Sequence, residues 1–314
     1  MNGLGILLPF RACGAKDAVR LGLEAERLGY SSVWTPEVST FDAISVAAAL
    51  AATTEQISVG TAIVPLDSRT PVSLAMSAAS LSDLAPGRVT LGIGVSTRTI
   101  MEQWHGRDFG RPLSRAKDTL AIINEVLEGN RTNLAGVVHS SVGFRLDVVP
   151  SERPKVFLAA LGEGMRKLAL EDADGMILNF LPRSKAQGLL QNQSPSKPFV
   201  IACFVRVAVA DARGASETRI RKEMASYLRI EQYRNWIASF GFGGLSYAPD
   251  EDLSSVARRL PSEFVEDVAI LGNAEECREK LSKLAELGIV PIVVPSIAAG
   301  DLESYRGLMN VLAR

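Results

Sequence analysis

Short apolar runs alternate with longer amphipathic stretches along the whole chain, and this rhythm restricts the fold more than any single residue does. The runs lie at residues 3–8, 32–35, 57–64, 88–94, 155–160, 175–178, 199–209 and 289–295. Helical spacing follows each of them, over 15–28, 42–53, 71–84, 114–128, 165–172, 183–190, 275–287 and 302–312. In the first helix Ala18, Leu21, Gly22, Ala25 and Leu28 recur at a period near 3.6, and Gly29 stands where a left-handed C-cap belongs. The runs are apolar throughout rather than alternating, as strands covered on both faces require. Eight strands, each followed by a helix, predict an α/β fold of the (β/α)8 TIM-barrel type in a single domain over 1–314.

Two segments exceed an ordinary strand-to-helix connection. Residues 130–154 hold two β-like pieces about Gly143 and predict a hairpin insertion. Residues 210–287 predict a long helical insertion between the seventh and eighth strands. It carries Tyr227, Tyr233, Trp236, Phe240, Phe242, Tyr247 and the glycine cluster 241–244, which suits either a lid or extra packed helices.

Charge and cysteine narrow the function. With 34 basic and 35 acidic residues the net charge is −1, so no long-range field draws nucleic acid or anionic lipid, and a small-molecule substrate is expected. Cys13, Cys203 and Cys277 show no CxxC spacing, and the only histidines are His105 and His139, which predicts no metal site and a reducing compartment. The start of the chain lacks the basic-then-apolar pattern of a signal peptide, and no window offers about 20 uncharged apolar residues, so a cytoplasmic protein without membrane spans is expected.

A barrel of this kind places its site at the C-terminal strand ends. There the turns through Gly94, Val95, Ser96 and Thr97 and through Ala160, Leu161, Gly162 and Glu163 each open toward a helix. Glycine lets backbone N–H groups approach an anion, and a helix N-terminus adds partial positive charge; a glycine needed only for a tight turn has the same appearance. No GxGxxG with a distant acidic residue and no GKS/GKT occurs, which removes nicotinamide-Rossmann and P-loop readings. Glu37 follows the second strand, either as a proton carrier or as a salt-bridged carboxylate at a helix start. His105 is the one histidine expected near this face, as a proton donor or as an exposed loop residue. Trp104 beside it either walls an aromatic ligand or packs under its loop. His139 is placed on the surface away from the mouth, and Cys203 in the core.

Taken together, Ala25–Trp34 (AERLGYSSVW), Ile57–Ile63 (ISVGTAI), Arg69-Thr70-Pro71 and Leu84–Gly94 (LAPGRVTLGIG) resemble the luciferase-like hydride-transferase and monooxygenase superfamily. Trp104-His105-Gly106, Phe109 and Arg111–Arg115 (RPLSR) resemble its branch assigned to the deazaflavin coenzyme F420. Flavin monooxygenases of the luciferase type show Glu-His-His after the second strand, where this chain reads Glu37-Val38-Ser39. The resemblance implies a non-proline cis peptide between Ala62 and Ile63 that bulges against the coenzyme ring, with Thr61, Ala62, Ile63 and Gly94 among the coenzyme-binding residues. It implies Val95, Ser96 and Thr97, with Ala160, Leu161, Gly162 and Glu163, around the coenzyme phosphate. Glu37 or His105 would supply a proton. The implied activity is hydride transfer between reduced F420 and an activated C=C, C=N or C=O; an FMN-dependent monooxygenase and a non-catalytic barrel are the alternatives. Homodimerisation is usual in the family.

Overall fold

The computed structural model describes residues 3–191, 197–209, 214–243, 245 and 251–313. Eight parallel strands close into a barrel: β1 (Gly5–Leu7), β2 (Ser32–Thr35), β3 (Ser58–Thr61), β4 (Val89–Gly94), β5 (Lys155–Ala159), β6 (Gly175–Asn179), β7 (Val200–Val209) and β8 (Ile289–Pro295). Each pairs with the next, and Gly5 and Ile6 of β1 face Ile292 and Val293 of β8 to complete the ring. The helices between them are α1 (Ala15–Arg27), α2 (Ala43–Thr53), α3 (Pro71–Leu84), α4 (Pro112–Leu127), α5 (Glu163–Asp172) and α6 (Arg183–Gln191). After β7 come α7 (Gly214–Tyr227), α8 (Glu231–Ala238), α9 (Leu253–Arg259), α10 (Ser262–Val268) and α11 (Ala274–Glu286), and α12 (Leu302–Ala313) closes the chain. Among the described residues no helix is long and apolar enough to cross a membrane.

The expected starts and stops have physical counterparts. Gly29 takes φ +82 directly after the first helix. Asp42 accepts the Ser45 N–H at 2.6 Å to cap α2, Thr70 accepts the Ser73 N–H at 3.2 Å to cap α3, and Asn273 with Glu276 forms a capping box on α11. The fourth helix begins two residues before the expected 114, at Pro112, whose missing N–H has no acceptor to lose in a first turn.

Three apolar clusters are found among the described residues. Side chains between strands and helices form the largest, Leu7, Trp34, Ala62, Phe157, Ile177 and Ile292 belong to the cluster that fills the barrel axis, and Phe180 joins Ile220, Met224, Ile237 and Phe264 of the insertion in a third. Trp34 dictates glycine around it: a Cβ on Gly5 would lie 2.9 Å from the indole nitrogen, and one on Gly60 would collide with its six-membered ring. Burying a side chain of that size contributes about 1.5–3 kcal/mol. With its axis filled, the barrel is a packed core rather than a pore.

Both insertions differ in detail from the sequence expectation. The hairpin pairs Asn133–Ala135 with Ser140–Val142, so its turn is 136–139, and Gly143 sits at the base, donating to Thr132 O at 2.7 Å. The segment 210–287 is not wholly helical: Ala269–Gly272 forms a strand parallel to Arg206–Val209. Strand β7 therefore pairs with β6 along its first half and with this added strand along its second. Tyr247 and Gly244 lie outside the described residues.

Candidate active site

Strand β3 stops at Thr61, and the Ala62–Ile63 peptide is cis, at the expected position. Pairing resumes one step later, where Val64 and Pro65 face Ile93 and Gly94 of β4. The Thr61 hydroxyl donates to Gly92 O at 2.8 Å and accepts from Gly92 N at 2.9 Å, so it bridges the interrupted strand and is buried. Its side chain is a brace within the barrel wall, and only its backbone is left to meet a ligand. Ala62 is buried, and its N–H donates to Thr35 O at 2.9 Å.

At Gly94 three strand ends meet. A Cβ there would lie 2.8 Å from Ala159 Cβ on β5 and 3.3 Å from Ile63 Cγ1 after β3. The chain then turns through half-buried Val95 and through Ser96, an L-residue held at φ +61. Thr97 Oγ1 accepts the Ile100 N–H at 3.3 Å and opens a π-helical turn, Thr99–Trp104, that the sequence reading left as a loop. The N–H groups of Ser96 and Thr97 have no hydrogen-bond acceptor among the described residues.

The neighbouring turn is built differently. Ala160 is buried and donates to Ile177 O at 3.1 Å, Leu161 O accepts from Arg166, and extended Gly162 precedes α5 without a side-chain cap. Glu163 begins the helix exposed to solvent. Asp42 and Thr70 satisfy N–H groups at α2 and α3, whereas the first N–H groups of α5 point outward unfilled, with the positive end of the helix dipole behind them.

The two expected proton carriers take the settings that the sequence reading offered beside that role. Glu37 is held bidentately by Arg69, at 2.7 and 3.0 Å, and accepts the Ala43 N–H at 3.1 Å. Arg69 also bonds Asp42, whose carboxyl burial would raise but whose bonds from Ser45 and Arg69 hold below the usual range. With both carboxylate oxygens engaged, Glu37 is the salt-bridged carboxylate at a helix start. His105 is exposed at the end of the π-helical turn, beside Trp104, which is also exposed and neither walls the cleft nor packs under its loop. His139 is the converse case: placed on the surface by its sequence context, it lies half-buried with Nε2 2.9 Å from Oδ1 of Asp67, a carboxylate only 8 % exposed that Arg115 also approaches to 2.8 Å. The hairpin thus packs on the loop that follows the cis peptide. Cys203 is buried as expected, and burial pushes its thiol up to about 12.

What the sequence reading missed sits on β7. Arg206 is 3 % exposed and interrupts an otherwise apolar strand. Its Nε and Nη2 donate to Glu223 Oε1 at 3.0 and 2.9 Å, and Nη1 donates to Asn179 Oδ1. The guanidinium lies 4.0 Å from the Phe180 ring centroid and 5.6 Å from that of Tyr227. Burial works against its charge, and Glu223 together with Tyr227 and Tyr233 more than offsets this. Asn179 also donates to the Tyr233 hydroxyl at 2.9 Å, and its carbonyl accepts the Trp236 N–H at 2.8 Å. The insertion aromatics therefore pack on this one buried cation, and burial raises the Tyr227 phenol above its ordinary range. A charged residue in the middle of a buried strand was the available signal, because such a charge needs a partner.

A cleft of about 590 Å³ opens at the mouth between the ends of β1 and β8, helix α7 and the π-helical turn. Leu7, Phe10, Ile100, Tyr227, Val294 and Ser296 are among its walls, and Thr97 from the Gly94 turn reaches it.

Comparison with known proteins agrees with this architecture. The family model for luciferase-like monooxygenases matches residues 4–290. A Mycobacterium tuberculosis protein assigned by name to the coenzyme F420-dependent oxidoreductases is 26% identical, over 90% of this chain and 91% of its own. Among solved structures, the coenzyme F420-dependent tetrahydromethanopterin reductase of Methanopyrus kandleri superposes with a TM-score of 0.76 at 16% identity, covering 100% of this chain and 97% of that one. An F420-dependent secondary alcohol dehydrogenase superposes with a TM-score of 0.74 at 16% identity, covering 99% of each chain.

Proposed function

The chain belongs to the luciferase-like monooxygenase family, and from that premise we propose that it is a coenzyme F420-dependent oxidoreductase acting on an activated C=C, C=N or C=O of a small organic molecule. The observation that carries this reading is the meeting of three strand ends at Gly94, flanked by unfilled N–H groups on two consecutive turns. A phosphate suits such N–H groups, and the positive end of α5 adds to its attraction. Val95, Ser96 and Thr97 would hold it from one side, and Ala160, Leu161, Gly162 and Glu163 from the other. Ala62, Ile63 and Gly94, with the Thr61 backbone, would face the ring system. When bound, the coenzyme supplies a carbon that donates or accepts a hydride.

The protein's own part is to orient, to exclude water and to move a proton. Glu37 and Arg69 fix the start of α2 beside the mouth. Tyr227, rather than Glu37 or His105, is the protic side chain that both lines the cleft and is positioned by a buried charge. We assign it the proton donated to, or taken from, the substrate.

The coenzyme is tested by adding F420 and FMN separately to the purified chain and following fluorescence. Quenching or enhancement of F420 at micromolar concentration, with FMN unchanged, is the expected result. Binding of FMN alone would replace this reading with a flavin-dependent monooxygenase.

We further propose that the chain pairs with a second copy through α2 and α3. Helix α2 is apolar on nearly every face, and a helix apolar all round calls for burial, while α3 beside it carries Met76 and Leu84 on an outward side that otherwise bears Ser73, Ser77 and Ser80. Between them lies an open groove lined by Ile44, Ala48, Met76, Leu81 and Leu84 together with Ser73, Ser77 and Ser80, and Met76 and Leu84 are about half exposed. Sedimentation of the wild type as a dimer and of Met76→Lys/Leu84→Lys as a monomer is expected; a monomeric wild type overturns the pairing.

A further inference from the structure

We propose that the mouth cleft binds a substrate with an apolar body and an anionic group, a carboxylate foremost. The proposal rests on reading the cleft as the substrate side of the coenzyme site. Its walls are largely apolar, with Leu7, Phe10, Ile100, Ile230, Leu253 and Val294 among them. Three cations, Arg11, Arg219 and Lys222, also line it. Two carboxylates stand near them, and both are already committed. Glu223 accepts two bonds from buried Arg206, and Asp301 accepts the Ser304 N–H at 3.0 Å at the start of α12.

The cations are not so committed. Arg11 and Lys222 have no carboxylate partner among the described residues, and Arg219 makes one hydrogen bond, from Nε to Ser296 O at 3.3 Å, with the Asp301 carboxylate close enough to interact with its charge but not bonded to it. Its two terminal nitrogens are left in the fork geometry that matches a carboxylate. Ser296 Oγ, in a residue 6 % exposed on the same wall, has no hydrogen-bond partner, so a donor waits there as well. A surplus of positive charge in this place is local, because the whole chain carries a net charge of −1. Charge gathered in a concave, largely apolar site acts on an anion more strongly than the same charge spread over a surface.

Octanoate and 1-octanol probe this without knowledge of the natural substrate, since they share a chain and differ in charge. Calorimetric titration of the full-length protein, free of coenzyme, should show octanoate binding about tenfold or more tightly than octanol, weakening as salt is raised. Arg11→Gln/Lys222→Gln should weaken octanoate about tenfold and leave octanol unchanged, and Ser296→Ala should weaken it by a smaller factor. Equal affinities for the two probes, absence of octanoate binding, or an unaltered double variant overturns the proposal. F420 titrated into the same double variant separates the two sources of an anion. Retained F420 binding alongside weakened octanoate supports a substrate site. Lost F420 binding with octanoate unchanged assigns these cations to the coenzyme and overturns it. A wild type that discriminates octanoate but never binds F420 leaves this site standing and removes the coenzyme assignment instead.

Discussion

Arg206→Ala is expected to cost the fold about 3–5 kcal/mol, the usual loss when one partner of a buried ion pair is removed. The guanidinium satisfies Glu223 and Asn179 and lies against Phe180 and Tyr227, so truncation leaves a carboxylate, an amide oxygen and two ring faces without their partner. Urea unfolding of the two proteins side by side measures the difference as a fall in midpoint at constant slope. Arg206→Met/Glu223→Leu removes both charges while keeping volume, and it should recover most of the loss. If Arg206→Ala costs under about 1 kcal/mol, the pair behaves as a surface salt bridge and its role in holding the insertion is refuted.

Tyr227→Phe should lower kcat about 100-fold or more while KM stays within a few-fold, as expected for loss of a general acid from an otherwise intact site. Turnover is followed through the absorbance of bound F420 with the first carbonyl, imine or enone found to react. A phenol acts as an acid only while protonated, and burial raises this one. Wild-type activity in the reducing direction therefore persists through neutral pH and falls only above the ordinary tyrosine range near 10. His105→Ala, measured alongside, should leave kcat near wild type because the imidazole is exposed. The reverse pattern, a large loss at His105 and none at Tyr227, would return the proton to the residue that sequence spacing first suggested.

The barrel was legible because its information is periodic and local. Apolar runs flanked by amphipathic stretches state which segments are strands covered on both faces, and the turn through Gly94 announced itself by glycine in front of a helix. The cis peptide between Ala62 and Ile63 was legible only through family resemblance, since nothing in the composition of that stretch requires it. Glu37 stayed open between two readings because a carboxylate at a strand end looks the same whether it faces a ligand or an arginine. Arg69 follows it by 32 positions, and no local pattern reveals their contact. His139 misled, since a hairpin residue reads as exposed until the hairpin is seen to fold back toward Asp67.

By itself the sequence determined the order of the barrel strands and helices and the closure of one barrel, because hydrophobic periodicity and turn residues act over a few positions. Tertiary structure alone decided which charges are satisfied and which remain available. Arg206 with Glu223, Glu37 with Arg69, and uncommitted Arg11 and Lys222 are matters of pairing across the fold. Electrostatic energy depends on distance and burial in space, and neither is written in the spacing of residues along a chain.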